Sequence, residues 1–176
     1  SIGSLIALSG VMLPMLLKGD IFFSDPLPVP LAFGLVLLIS LGIGLFHGVL
    51  VTKLGLQPFL VTLCGLFIYR GLARAAGNDQ TQGFGGDFSG LKNALVKEKL
   101  FDFIPMSFVV LIMIGIIAAV VLNKTVFGRY LLAVGHNEEA AKFSGIKTDR
   151  VKIAAYMICS LLGGFAGMLF VLDTNG

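Results

Sequence analysis

Of the 176 residues in this chain, 56% are hydrophobic and 13% charged, and the formal net charge at pH 7 is +3. Soluble domains carry roughly 25% charged residues, about twice this density, so the composition excludes an ordinary soluble domain. The basic excess sits mostly in one loop, with no basic stripe interleaved with aromatics, which argues against nucleic acid as a partner.

The charges are clustered, and the stretches between clusters approach or exceed the roughly 20 apolar residues that cross a bilayer as a helix. In chain order, Ile2 to Leu17 is apolar but short and interrupted by Pro14, and Val29 to Thr52 is free of charge. Leu54 to Tyr69 becomes long enough if the helix continues through Arg70 to Ala75, and Phe103 to Asn123 and Ile153 to Leu172 complete the set. None alternates with period two, so helices are expected, which also satisfy their own backbone polar groups in lipid. The expected fold is an all-α polytopic membrane helix bundle. Its segments fall at about 1–18, 29–52, 55–76, 103–123 and 152–172, with an outer loop at 77–102 and a cytoplasmic loop at 124–151. The chain starts at Ser1, enters an apolar run at once, shows no basic region of a signal peptide and stops just after its last segment. It therefore reads as an internal fragment of a longer chain.

Orientation follows from the loops. Lys124, Arg129, Lys142, Lys147, Arg150 and Lys152 crowd one loop against Glu138, Glu139 and Asp149. The positive-inside rule places that loop in the cytoplasm, with Lys53 on the same side and the Asp20 to Pro30 connection outside. In the outer loop, Leu91 to Phe101 is expected as a short helix, over a solvated cap or a docking surface.

Within the segments, Gly44 and Gly48 stand four apart, as do Gly163 and Gly167, the spacing that lets helix backbones approach closely in lipid. Cys64 and Cys159 read as small packing residues, with no partner at metal-ligand spacing; no metal site is expected. His47 reads as a satisfied interior histidine or one reaching toward the inner surface, because no carboxylate lies inside a segment to partner it. Arg70 and Arg74, one turn apart, are placed to reach outer headgroups. Ser4, Ser9, Thr62, Ser107 and Ser160 serve either packing or a polar solute, so no residue is assigned to a substrate pathway. No phosphate-binding loop occurs, and no catalytic constellation is present.

The loop "NKTVFGRYLLAVGHNEEAAKFSGIKTDRVK" carries the strongest local signal. Asn137 is an N-cap, Glu138 and Glu139 occupy the first turn where the helix dipole favours acids, and Gly145 suits the left-handed position after the last turn. Such a helix of about two turns cannot persist alone in water. Ala140 and Ala141 leave a low surface for a partner's cleft, and Phe143 and Ile146 add apolar surface beside it.

The segment "GHNEEAAKFSGI" resembles the Glu-Ala-Ala loop of ABC importer permeases, in the variant of the ribose, xylose and galactose branch of the branched-chain-type permease superfamily. "SIGSLIALSG", "HGVLVTKLGLQPFLVTLCGLFIYRGLA" and the stretch from Phe127 to Leu169 resemble the same branch, with a departure at His47, where the family usually has Asn before the glycine. The resemblance implies a multi-pass permease of the bacterial inner membrane, part of an ATP-driven sugar importer such as one for ribose. It implies a second permease subunit forming a homodimer, cytoplasmic ATPase subunits carrying the ATP and magnesium, and a periplasmic sugar-binding protein. The 137–146 helix would couple to the ATPase through Asn137, Glu138, Glu139, Ala140, Ala141, Phe143 and Gly145, and this chain would have no cofactor and perform no covalent chemistry. The rival readings are an ion-coupled secondary transporter or channel, which needs intramembrane acids or unwound helices, and an intramembrane enzyme.

Overall fold

The computed structural model describes residues 2–18, 28–77, 99–100 and 104–174. Seven helices run α1 (Ile2–Lys18), α2 (Val29–Lys53), α3 (Pro58–Gly77), α4 (Met106–Lys124), α5 (Val126–His136), α6 (Glu138–Phe143) and α7 (Thr148–Thr174). Before α4 a minimal antiparallel pair joins β1 (Lys99–Leu100) to β2 (Ile104–Pro105), with Lys99 opposite Pro105 and Leu100 opposite Ile104. This pair corrects the expected short helix at its C-terminal end; the rest of Leu91 to Phe101, and most of the 77–102 loop, lie outside the described residues.

Helix boundaries differ from the expected segments in ways local chemistry explains. The third segment begins at Pro58, because Leu54 to Gln57 form a turn with Gly55 at φ +62°. Proline suits the first helical position and keeps its predecessor extended. The fourth begins at Met106, after β2. The last begins at Thr148, one turn inside the expected loop, and ends at Thr174. Pro14 does not break α1, which is continuous across it. The ring is fully buried, and neighbouring helices compensate for a missing donor in a membrane protein.

Among the described residues, α2, α3 and α7 are each long and apolar enough to cross a membrane. α4 and α5 qualify as a fourth span only if taken together, and they are bent by 76° at their junction. α1, with 17 residues, reaches only about 26 Å at 1.5 Å per residue, so the expectation of about five membrane segments stands as an approximate count. α1 is nonetheless the most enclosed element: it packs against α7, α3 and α2, with Leu13 and Leu17 fully buried.

The bundle is built on close approaches to α7. A Cβ on Gly44 would lie 2.7 Å from the Tyr156 carbonyl oxygen and collide with Ser160 Oγ; one on Gly164 would lie 2.7 Å from Ser40 Cβ. Gly48 likewise faces Ile153, at 2.9 Å from its Cα. These contacts run in opposite chain directions, so α2 and α7 are antiparallel. A second stripe of α7 takes α1: Gly163 faces Leu5, at 3.1 Å, and Gly167 faces Ile6, at 3.0 Å from its Cα, so α1 and α7 run parallel. Toward the far end the three helices close over an apolar core of Leu13, Leu16, Leu17, Ala32, Val36, Met168, Val171 and Leu172. By contrast, none of the side chains from Phe108 to Lys124 is buried, and α4 meets the chain chiefly through α5 and β2.

These contacts predict a sharp contrast between neighbouring glycines. Gly44→Ala should destabilise the bundle by about 1–3 kcal/mol, the usual cost of forcing extra volume into a packed interface. Gly42→Ala, with nothing within 4 Å of its added methyl, should be neutral or slightly stabilising. Thermal unfolding of the two variants in detergent reads the difference; equal midpoints would contradict the packing.

Candidate functional site

The loop between α4 and α7 is mostly helical. α5 was not expected from the sequence. It starts where Thr125 accepts a hydrogen bond from the Gly128 amide at 3.2 Å. The sharp bend is sterically possible because Gly128 has no Cβ, which would stand 2.6 Å from Leu122 Cα. The available signals were Thr125 as a cap and the partly buried Phe127, Leu131 and Val134 at helical spacing.

α6 follows directly. Asn137 Oδ1 accepts from the Ala140 amide at 3.1 Å, so the expected N-cap is formed. At the other end, the Gly145 amide donates to the Lys142 carbonyl at 3.0 Å and the Ile146 amide to the Ala141 carbonyl at 3.1 Å. With Gly145 at φ +79°, this is a Schellman motif, which satisfies the last carbonyls and demands a residue free to adopt the left-handed region.

The geometry divides the expected coupling residues into two groups. Ala141 is buried against the chain itself, so the low surface expected from two adjacent alanines is reduced to Ala140, which is exposed. Ala141 has no room for a partner; its small side chain lets α6 sit close. Glu138 also faces inward, bridging Lys152 on α7 and Lys142 one turn on, at 3.3 Å. The Lys152 ammonium, supported by Lys142, holds the Glu138 carboxyl below its ordinary value of 4.5, against an opposing push from partial burial. Glu139 and Phe143 stand four apart and therefore share a face, the one turned away from Ala141. Glu139 is exposed, and Phe143 is 93% exposed. Asn137 and Gly145 are exposed as well, their backbone roles being the two caps. Sequence reasoning missed Lys152 as the residue that ties this helix to α7.

Lys53, at the end of α2, lines one groove with Lys147 and Arg150, so these cations occupy the same end of the bundle. Near that end, residues of α1, α2, α3 and α7 line an open pocket of about 470 Å³, with His47, Thr62, Tyr156, Cys159 and Ser160 beside apolar residues. His47 is buried and shares a hydrogen bond of 3.1 Å with Tyr69 of α3. Gly65 makes room for the ring, since a Cβ there would stand 2.7 Å from His47 Nε2. The satisfied interior histidine is thus the arrangement found, and Tyr69 is the partner that sequence spacing did not reveal. Ser160 is satisfied locally by the Tyr156 and Met157 carbonyls, as Ser9 is by Leu5 and Ile6. Cys64 and Cys159 are both exposed on the chain's surface, which corrects their reading as packing residues: small size does not specify which helix face is covered.

An apolar multi-helix bundle with a polar, capped loop at one end is a polytopic membrane protein. The chain belongs to the family described as the branched-chain amino acid transport system permease component, whose model matches residues 1–176. It is 31% identical over 171 residues to the autoinducer 2 import system permease protein LsrC of Yersinia enterocolitica, covering 97% of this chain and 44% of that protein. It is 34% identical to the ribose import permease protein RbsC of Bacillus subtilis, covering 96% of this chain and 50% of the relative. The inner membrane ABC transporter permease protein YjfF of Escherichia coli is 31% identical, with 99% and 51% covered. The chain thus spans about half the length of these curated relatives. No solved structure matches it.

The Glu138 bridge gives a prediction with a definite sign. A carboxyl whose pKa is depressed in the folded state contributes stability above its unfolded value, and that contribution is lost as pH falls through the folded value. Glu138→Gln should therefore speed hydrogen exchange in residues 138–143 at pH 7. The gap between variant and parent, corrected for intrinsic rates, should close as pH drops below 4.5. A gap that persists in acid would assign the protection to another contact.

Proposed function

We propose that this chain is the part of a sugar-importing ABC permease that couples the membrane bundle to a cytoplasmic ATPase, with α6 as the coupling helix. The observation that carries this reading is Phe143, nearly fully exposed beside Glu139 on a helix locked at both ends and clamped to α7. Exposing a phenylalanine to water is unfavourable, and a buried aromatic anchor is a common centre of protein interfaces. The outward face would enter a cleft of the ATPase, while Ala141 and Glu138 hold α6 to the bundle. Closure of the ATPase dimer would then move α7, and with it α1 and α2. ATP and magnesium would reside on the ATPase, and this chain would supply the route and its movement without covalent chemistry.

A second permease subunit, most simply a copy of the whole protein, and a periplasmic binding protein complete the proposed importer in the bacterial inner membrane. The exposed apolar flank of α4 supports contact with lipid, with that second subunit, or with other parts of the permease. Similarity at 31–34% identity extends both to a ribose permease and to an autoinducer 2 permease. The proposed substrate class is therefore small polyhydroxylated solutes, with sugars first among them.

Two measurements test this. Phe143→Asp and Glu139→Lys should each reduce co-purification of the ATPase about tenfold or more, equivalent to roughly 1.4 kcal/mol, without altering the permease's elution profile. ATP hydrolysis by the complete importer in lipid, across a panel of sugars, should rise with one of them and lose that response in the same variants. Normal ATPase attachment in both variants would refute α6 as the coupling helix.

A further inference from the structure

Where α2 ends and α7 begins, a groove of about 520 Å³ is lined by Lys53, Ile146, Lys147, Asp149, Arg150 and Ile153. Lys142 also borders it but is engaged by Glu138. Among the described residues, Lys53, Lys147 and Arg150 make no ion pair, and Asp149 makes none either. Three cations and one carboxylate therefore share a concave surface with excess positive charge, an arrangement that concentrates anions. The start of α7 adds to it. The Lys147 carbonyl accepts from the Arg150 and Val151 amides, at 3.1 and 3.3 Å, which puts Lys147 at the N-cap. A lysine side chain offers no acceptor there, so the positive end of a 27-residue helix faces the groove without a side-chain cap from that position.

Depth indicates the source of the anion. Lys53 is the last residue of α2 and Thr148 the first of α7, so the groove lies at the level where spanning helices meet the headgroup region. Ile146 and Ile153 form an apolar wall, and Leu54, directly after Lys53, is 63% exposed. A free phosphate has no use for such a wall, whereas a phospholipid presents its phosphate and the start of its acyl chains together. We propose that this groove binds the phosphate of an anionic phospholipid, with Lys53, Lys147 and Arg150 as its cationic contacts. The site stands independently of ATPase coupling, because its occupant is a component of the membrane.

The test is native mass spectrometry of the purified full-length permease, without ATPase, titrated with phosphatidylglycerol and, for comparison, phosphatidylcholine. Lys53, Lys147 and Arg150 are exposed, so their substitution spares the packing. Lys53→Gln/Arg150→Gln should lower phosphatidylglycerol affinity about fivefold for each cation removed and leave phosphatidylcholine unchanged. Lys124→Gln/Arg129→Gln, which removes the same charge elsewhere in the loop, should have little effect, and millimolar inorganic phosphate should not displace the lipid. Undiminished lipid binding by the groove variant, or equal loss in both double variants, would overturn the proposal. Displacement by inorganic phosphate would assign the groove to a free anion instead. Intact lipid binding with loss only of subsequently added ATPase would assign it to an acidic protein surface.

Discussion

The structure depends on how closely α2 can approach α7. In lipid the surroundings are as apolar as the helix surfaces, so association gains little from the hydrophobic effect and rests on packing and hydrogen bonding. The interface meets this condition reciprocally. Ser160 of α7 occupies the hollow at Gly44 of α2, and Ser40 of α2 occupies the hollow at Gly164 of α7. The Ser160 hydroxyl is satisfied by carbonyls of its own helix, so it enters this close fit already partnered. The adjacent stripe of Gly163 and Gly167 gives α1 the same intimacy. One helix thereby fixes both of its neighbours.

That arrangement has a consequence for the loop. The first turns of α7 lie level with the end of α2, and α6 is fastened to them by the Glu138–Lys152 pair and by burial of Ala141. A short helix that would melt in isolation is thus held by a cap at each end and a clamp to a long element. Under the proposed coupling, displacement of α6 reaches α7 without first straightening a slack segment. The same fastening explains why the outward surface is Glu139 and Phe143: the residues that hold the helix cannot also face a partner.

The two ends of the bundle differ in character. Away from the loop, leucine, valine and methionine side chains close a dry core. Nearer the loop, the small residues that bring α2 against α7 are accompanied by an open pocket with His47, Thr62 and Tyr156 on its wall. The His47–Tyr69 hydrogen bond crosses from α2 to α3 and keeps the imidazole satisfied, with Gly65 supplying the space.

Much of this was legible along the chain. Apolar run length, low charge and missing alternation specify membrane helices, because backbone satisfaction in lipid leaves few alternatives. Asn137, the two acids and Gly145 specify α6, because capping chemistry is local in sequence. The family-like motif in that loop was legible for the same reason. Pairings across the bundle were not. Nothing in the spacing of Gly44 and Gly163 says that the first receives Ser160 and the second faces Leu5, or that Glu138 reaches Lys152 while Glu139 reaches solvent. Burial of Ala141, exposure of Cys64 and Cys159 and continuity of α1 through Pro14 likewise depend on which helix lies beside which. Helix formation and capping follow from residues a few positions apart. Facing and register emerge only when distant helices compete for the same close approach.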